Sequence, residues 1–93
     1  MIVASLRVQM LLPGCASLKQ KRFVLASLKA RLRNRFNVSV CESDFQDTWQ
    51  RSELAVAAVT TDMRGARTVA EQVMAFLDRE PRIVLCEHER NFY

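Results

Sequence analysis

The sequence predicts an α+β fold in which two helices cover one face of a four-stranded antiparallel sheet. Three observations predict it. Hydropathy periodicity runs strand, helix, strand, strand, helix, strand along the chain. Each helical stretch opens at a residue suited to cap it, Ser17 or Asp62. The third strand-like run is apolar on both faces, as a central strand should be. Right-handed crossovers then place both helices on the same side of the sheet.

Taken in order, Ile2 to Leu11 alternates. Ile2, Ala4, Leu6, Val8 and Met10 fall on one face, and Ser5, Arg7 and Gln9 on the other, which predicts a half-buried strand. Pro13-Gly14 stops it with a turn. Ser17 followed by Gln20 is a capping box, in which the Ser17 hydroxyl accepts the N–H of Gln20 and the Gln20 side chain reaches back to the N–H of Ser17. The helix that follows carries an apolar stripe of Leu18, Leu25, Leu28 and Leu32, with Phe36 at or beyond its end and Asn34 and Asn37 as stops. Phe36, Val38 and Val40 alternate with Asn37, Ser39 and Cys41, predicting a second strand at the sheet edge. Glu42 to Gln50 is polar and acidic and reads as a long hairpin connection containing Phe45 and Trp49.

Glu53 to Thr61 is the apolar central strand. Asp62 starts a second helix, whose buried stripe is Ala66, Val69, Ala70, Val73, Phe76 and Leu77. Pro81 ends it, Ile83 to Glu89 is the fourth strand, and Asn91-Phe92-Tyr93 is a tail. This order is the split βαβ, or ferredoxin-like, pattern, and residues 1–93 are expected to form a single domain.

Charge is unevenly spread. Residues 1–41 hold eight Lys/Arg and no Asp/Glu, whereas residues 42–93 hold six Lys/Arg and ten Asp/Glu; the net charge is +4. Such asymmetry points to nucleic acid or another acidic partner, and equally suits self-association of the acidic half with the basic half of a second copy. The first helix concentrates it. Lys19, Lys21 and Arg22 lie in its first turn and a half, where the helix dipole makes each cation unfavourable by roughly 0.3–1 kcal/mol. Cations gathered around free backbone N–H groups suit an anion. Lys29, Arg31, Arg33 and Arg35 continue the charge toward the C-terminus, where the dipole favours it. Basic residues on the outer face of a surface helix also serve simply as a solvated surface.

Other chemistries find little support. The three cysteines, Cys15, Cys41 and Cys86, have no short metal spacing and are expected to be reduced thiols. His88 is the lone histidine, on a late strand, and is expected to be structural. Glu42, Asp44 and Asp47 lack the rigid frame of a metal site. No Gly-rich phosphate loop is present. Cys15 has no visible base to activate it as a nucleophile. No catalytic site, metal or cofactor is expected. The N-terminus lacks a signal-peptide pattern and no apolar run reaches about 18 residues, so a cytoplasmic protein with no membrane partner is expected. The helix-free face of the sheet should carry Val3, Ser5, Arg7, Gln9, Glu53, Ala55, Ala57 and Val59. Residues 2–11 and 52–61 contain no aromatic residue, which disfavours base stacking on those two strands as RNA-recognition domains perform it, and the small apolar residues there fit an intersubunit contact or cover by the hairpin loop.

P-G-x-x-S-L-K-x-K-R at 13–22, R-x-R-N-R-F-N-V-S-V at 31–40 and D-x-W-Q-R-x-E-L at 47–54 resemble the YlxP-like family of small bacterial proteins of unknown function. The resemblance covers nearly the whole chain and implies a ferredoxin-like fold. It also implies, through the family's usual gene neighbours, a role around ribosome assembly or translation. It supplies no catalytic residues. It marks Ser17, Leu18, Lys19, Lys21 and Arg22, then Asp47, Trp49, Gln50 and Arg51. Gln20 stands where the family pattern has Glu, which keeps the capping box and makes the turn more basic. The favoured expectation is a non-enzymatic RNA- or ribosome-associated factor contacting phosphates through Ser17, Lys19, Lys21, Arg22, Lys29, Arg33 and Arg35, with Asp47, Trp49 and Arg51 meeting a partner. The alternative is a homodimer or small-anion-binding module that self-associates through the open sheet face.

Overall fold

A computed structural model describes all residues, Met1 to Tyr93. The order is β1 (Ile2–Leu11), α1 (Leu18–Arg35), β2 (Ser39–Asp44), β3 (Arg51–Thr60), α2 (Met63–Asp78) and β4 (Val84–Phe92). The strands form one antiparallel sheet in the order β2-β3-β1-β4, so the two apolar strands are central. This is the ferredoxin-like arrangement that the periodicity predicts.

Register fixes which face each strand residue takes. Leu6 lies opposite Val56 and Val8 opposite Leu54, and all four are buried beneath the helices with Met10, Leu25, Leu28, Leu32, Val73 and Leu77. A smaller cluster of Ala4, Ala58 and Ala66 closes the far end, where α2 approaches the sheet over alanines. On the opposite face Val3 pairs with Val59, Ser5 with Ala57 and Arg7 with Ala55.

Both helix starts are capped as the sequence predicts. The Ser17 hydroxyl accepts the N–H of Gln20 at 3.2 Å, and Asp62 accepts that of Gly65 at 2.8 Å. The Gln20 side chain reaches one residue further back than expected and accepts the N–H of Ala16 at 2.6 Å.

Several boundaries differ from expectation. The second strand begins at Ser39 because α1 runs through Arg35 and Phe36 is its C-cap, packed edge-on against Phe76 of α2 rather than alternating in the sheet. It continues through Asp44, past a bulge between Glu42 and Asp44, so the hairpin connection shrinks to residues 45–50. The third strand starts at Arg51. The fourth runs to Phe92, and Tyr93 exchanges two 2.9 Å backbone hydrogen bonds with Val3; the expected tail is sheet because β1 offers it a paired edge. Leu18 is only half-buried, and the residue that completes the inner stripe of α1 one turn later is Lys21.

Candidate nucleic-acid interface

Lys21 falls on the buried face of α1 with Leu25, Leu28 and Leu32 and is wholly inaccessible. Its Nζ donates to the carbonyls of Phe45 at 2.7 Å, Gln46 at 3.3 Å and Arg51 at 3.3 Å and lies 2.9 Å from the Glu42 carboxylate. Glu42 in turn accepts the Ser52 hydroxyl at 2.7 Å. A buried ammonium is tolerated only when paired and fully hydrogen-bonded, and here every donor has a partner. Lys21 therefore cannot meet a phosphate from solution, and the expectation that it does is corrected: it holds the turn at 45–50 in place. Phe45 in that turn has φ of 62°, a left-handed conformation unusual for a bulky side chain, and the ammonium grips its carbonyl. A sequence signal for this was present. The spacing 18, 21, 25, 28, 32 is one continuous helical stripe, and Lys21 occupies its second position.

The remaining first-turn cations, Lys19 and Arg22, are exposed, while Ser17 is engaged as the cap. At about 100° per residue, Lys19, Arg22, Lys29 and Arg33 fall within roughly 80° of arc on one flank of α1, spread over about 21 Å of its length. Arg33 donates to the Val40 carbonyl at 2.9 Å, which braces its guanidinium against the edge strand β2. The ion pairs of the protein are Arg7–Glu89, Lys21–Glu42, and Glu80 with both Arg31 and Arg82. Lys19, Arg22, Lys29, Arg33 and Arg35 thus have no carboxylate within 4.0 Å, and neither Asp44, at the end of β2, nor Asp47, in the turn, pairs with them.

Arg35 lies on the other flank, facing α2. Its guanidinium carbon sits 5.7 Å from the ring centroid of Phe36 and 6.0 Å from that of Phe76, and Arg31 lies 5.3 Å from the Phe76 ring. These residues, with Arg79 and Glu80, line a groove of about 530 Å³ between the helices. Glu80 is buried, and the Arg82 guanidinium, followed by Arg31, holds its carboxyl down at about 2 against the resistance of burial. No local pattern in the sequence groups Arg31 with Phe76 and Arg79, because the groove joins residues more than 40 positions apart.

The hairpin residues separate. Arg51 turns back over the Phe45 ring at 4.3 Å and donates to Gln9 at 2.9 Å. Asp47 and Trp49 stay exposed at the turn. Gln50 ties the turn to the β1–α1 connection, donating to the Cys15 carbonyl at 3.0 Å while its own carbonyl accepts the N–H of Leu12 at 2.8 Å. The sequence blocks at 13–22 and 47–54 are therefore in contact, through Lys21 and Gln50. Glu42 faces inward, away from Asp44 and Asp47, and no group of three or more His, Cys, Asp or Glu side chains comes together as metal ligands. His88 is exposed and pairs with Val8 in the sheet register. The three cysteines are free thiols, Cys15 buried and the other two exposed. No helix is long and apolar enough to cross a membrane.

Comparison with known proteins agrees with the architecture. The chain is similar over its whole length to a de novo designed protein with a ferredoxin fold, LFR1 1, whose structure was solved by NMR: the TM-score is 0.55 at 10% identity, covering 99% of this chain and 85% of that one. The likeness concerns fold alone. An uncharacterised protein of Bacillus subtilis (strain 168), YlxP, is 43% identical over 67 residues, 72% of this chain and 73% of that protein. The family model described as "Protein of unknown function (DUF503)" matches residues 3–90. With that match spanning nearly every element of the sheet and both helices, the chain belongs to the DUF503 family.

Proposed function

We propose that this protein binds RNA, free or within a ribosomal subunit, without catalysing a reaction on it, and that the outer flank of α1 makes the contact. One observation carries the reading: α1 contains no acidic residue, and its Lys19, Arg22, Lys29 and Arg33 line one flank with no carboxylate partner. Unpaired cations in a row repel one another, and Lys19 and Arg22 also oppose the helix dipole. A polyanion relieves both costs. Contacts of this kind are made to phosphates and are largely independent of base sequence.

The test is binding to purified small and large subunits and to a structured RNA hairpin across a salt series. Each phosphate neutralised contributes roughly 0.7–0.9 to the slope of log affinity against log salt. Changing Lys19, Arg22, Lys29 and Arg33 together to Gln should weaken binding and make that slope shallower by about three. Unchanged affinity and slope would overturn the assignment.

A second reading has its own support. On the helix-free face, Val59 is 60% exposed beside Ala57 and across from Val3, an apolar surface suited to a second copy of the chain. Sedimentation of the parent and of an Ala57→Arg variant tests it. A dimer that the substitution splits would establish the interface, and a monomer at high concentration would sink it.

A further inference from the structure

We infer that the groove between α1 and α2, lined by Arg31, Arg35, Phe36, Phe76, Arg79 and Glu80, is a subsite for a single nucleotide, taking its base against the arginine–phenylalanine layer and its phosphate at Arg79. The inference deepens the RNA-binding reading, on which it rests for the source of the nucleotide, and it uses the opposite flank of α1.

Its charge suits an anion. Three guanidiniums, Arg31, Arg35 and Arg79, face one carboxylate, Glu80, and Arg31 and Arg82 already bridge that carboxylate. Arg35 and Arg79 have no carboxylate partner. A bare phosphate would leave the rest of the groove unused. Phe36 and Phe76 meet edge to face, with centroids 6.2 Å apart and planes at 87°, and both are only half-buried. The Arg35 guanidinium lies over both rings, within 6.0 Å of each centroid. Flat guanidinium and phenyl surfaces are what unpaired bases stack upon. The Gln72 amide, also on the groove wall, offers a donor and an acceptor to a base edge. The groove's volume of about 530 Å³ lies within the range of small-ligand sites, about 300–1,000 Å³. The sheet, the usual stacking platform of this topology, has no aromatic residue on the open face of its central strands β1 and β3 and only Tyr93 at the end of β4, opposite Val3, whereas two aromatics lie together between the helices.

The nucleotide has two sources, an unpaired residue of an RNA chain or a free mononucleotide, and the experiment separates them. Two RNA hairpins, one fully paired and one with a single-nucleotide bulge, are compared by fluorescence anisotropy. Adenosine monophosphate and inorganic phosphate are titrated separately while the Phe36 and Phe76 ring resonances are followed by NMR. The bulged hairpin should bind about tenfold more tightly, the size expected of one stacked base. Arg79→Ala and Phe76→Leu should each remove most of that advantage while binding the paired hairpin within about twofold of the parent; if Phe76→Leu does not fold, the exposed Arg79→Ala decides. Adenosine monophosphate should shift both ring signals and phosphate should not. Equal affinity for the two hairpins with no ring shifts would overturn the subsite and leave the RNA reading standing. Ring shifts with no affinity for either hairpin would keep the subsite, name a free nucleotide as its ligand and overturn the RNA reading. Identical shifts with phosphate alone would overturn the base-stacking assignment.

Discussion

The ammonium of Lys21 and the carboxylate of Glu42 form a 2.9 Å ion pair at the end of the hydrophobic core, with Lys21 completely buried and Glu42 mostly so. The pair joins the first turn of α1 to β2, and three carbonyls of residues 45–51 complete the shell of the ammonium. A charge in the most basic stretch of the chain is thus an internal clamp.

Lys21→Met should therefore destabilise the fold by about 3–5 kcal/mol, the range for removing one partner of a buried pair, because Glu42 and the carbonyls lose their cation together. Urea denaturation measures it. Amide exchange should accelerate first at residues 45–51. A loss below about 1 kcal/mol, typical of an exposed ion pair, would contradict the clamp.

Glu80 predicts an acid limb in the stability profile. Its carboxyl titrates near 4.5 when unperturbed and at about 2 in the fold. A depressed folded value means that the unfolded chain binds the proton first. The stabilisation is complete above pH 4.5 and is lost as pH falls from there toward 2. Linkage sets an upper limit of about 3 kcal/mol, which screening at the half-exposed Arg31 and Arg82 reduces. Glu80→Gln should lower Tm at pH 7 and flatten the decline between pH 4.5 and 2. An unaltered pH profile in that variant would place the acid sensitivity elsewhere.

Ser17→Ala removes the acceptor for the Gln20 N–H, and a loss of about 1 kcal/mol is expected. Ser17→Asp keeps the cap and adds an anion at the positive end of α1, so its thermal stability should equal or exceed the parent's. If the Asp variant is as unstable as the Ala variant, the cap is not what Ser17 contributes.

Thiol labelling gives a check on the core. Cys41 and Cys86 are exposed and should react with a maleimide or disulfide reagent in the native protein, whereas Cys15 is buried and should react only on unfolding. Two fast equivalents and one slow one are expected, with the slow equivalent accelerated in Lys21→Met if the clamp also secures the neighbouring β1–α1 connection.

The architecture was legible because the fold depends on signals that are local. Alternation from Ile2 to Leu11 names the buried face of β1 residue by residue. Ser17 and Asp62 mark the helix starts, since a cap bonds backbone only three positions away. Boundaries failed where a distant partner decided them. Phe36 alternates with Val38 and Val40, yet Phe76 draws it into the helix layer. Tyr93 resembles a tail until Val3 pairs with it.

Element order, sheet topology, family and the concentration of positive charge on α1 all follow from the order of residues along the chain. What each of those charges does depends on the packing of segments distant in the chain. Lys19, Arg22, Lys29 and Arg33 remain on the surface because nothing acidic folds over them. Lys21 turns inward because Glu42 and the carbonyls of residues 45–51 converge on its place in the apolar stripe. Arg31 and Arg35 join Phe76 and Arg79 because both helices lie on one face of the sheet and line a common groove. Periodicity reports which way a side chain points, but the group waiting there comes from 20 to 50 residues away, and for a charged side chain that group sets whether it is a clamp, a free surface cation or part of a binding groove.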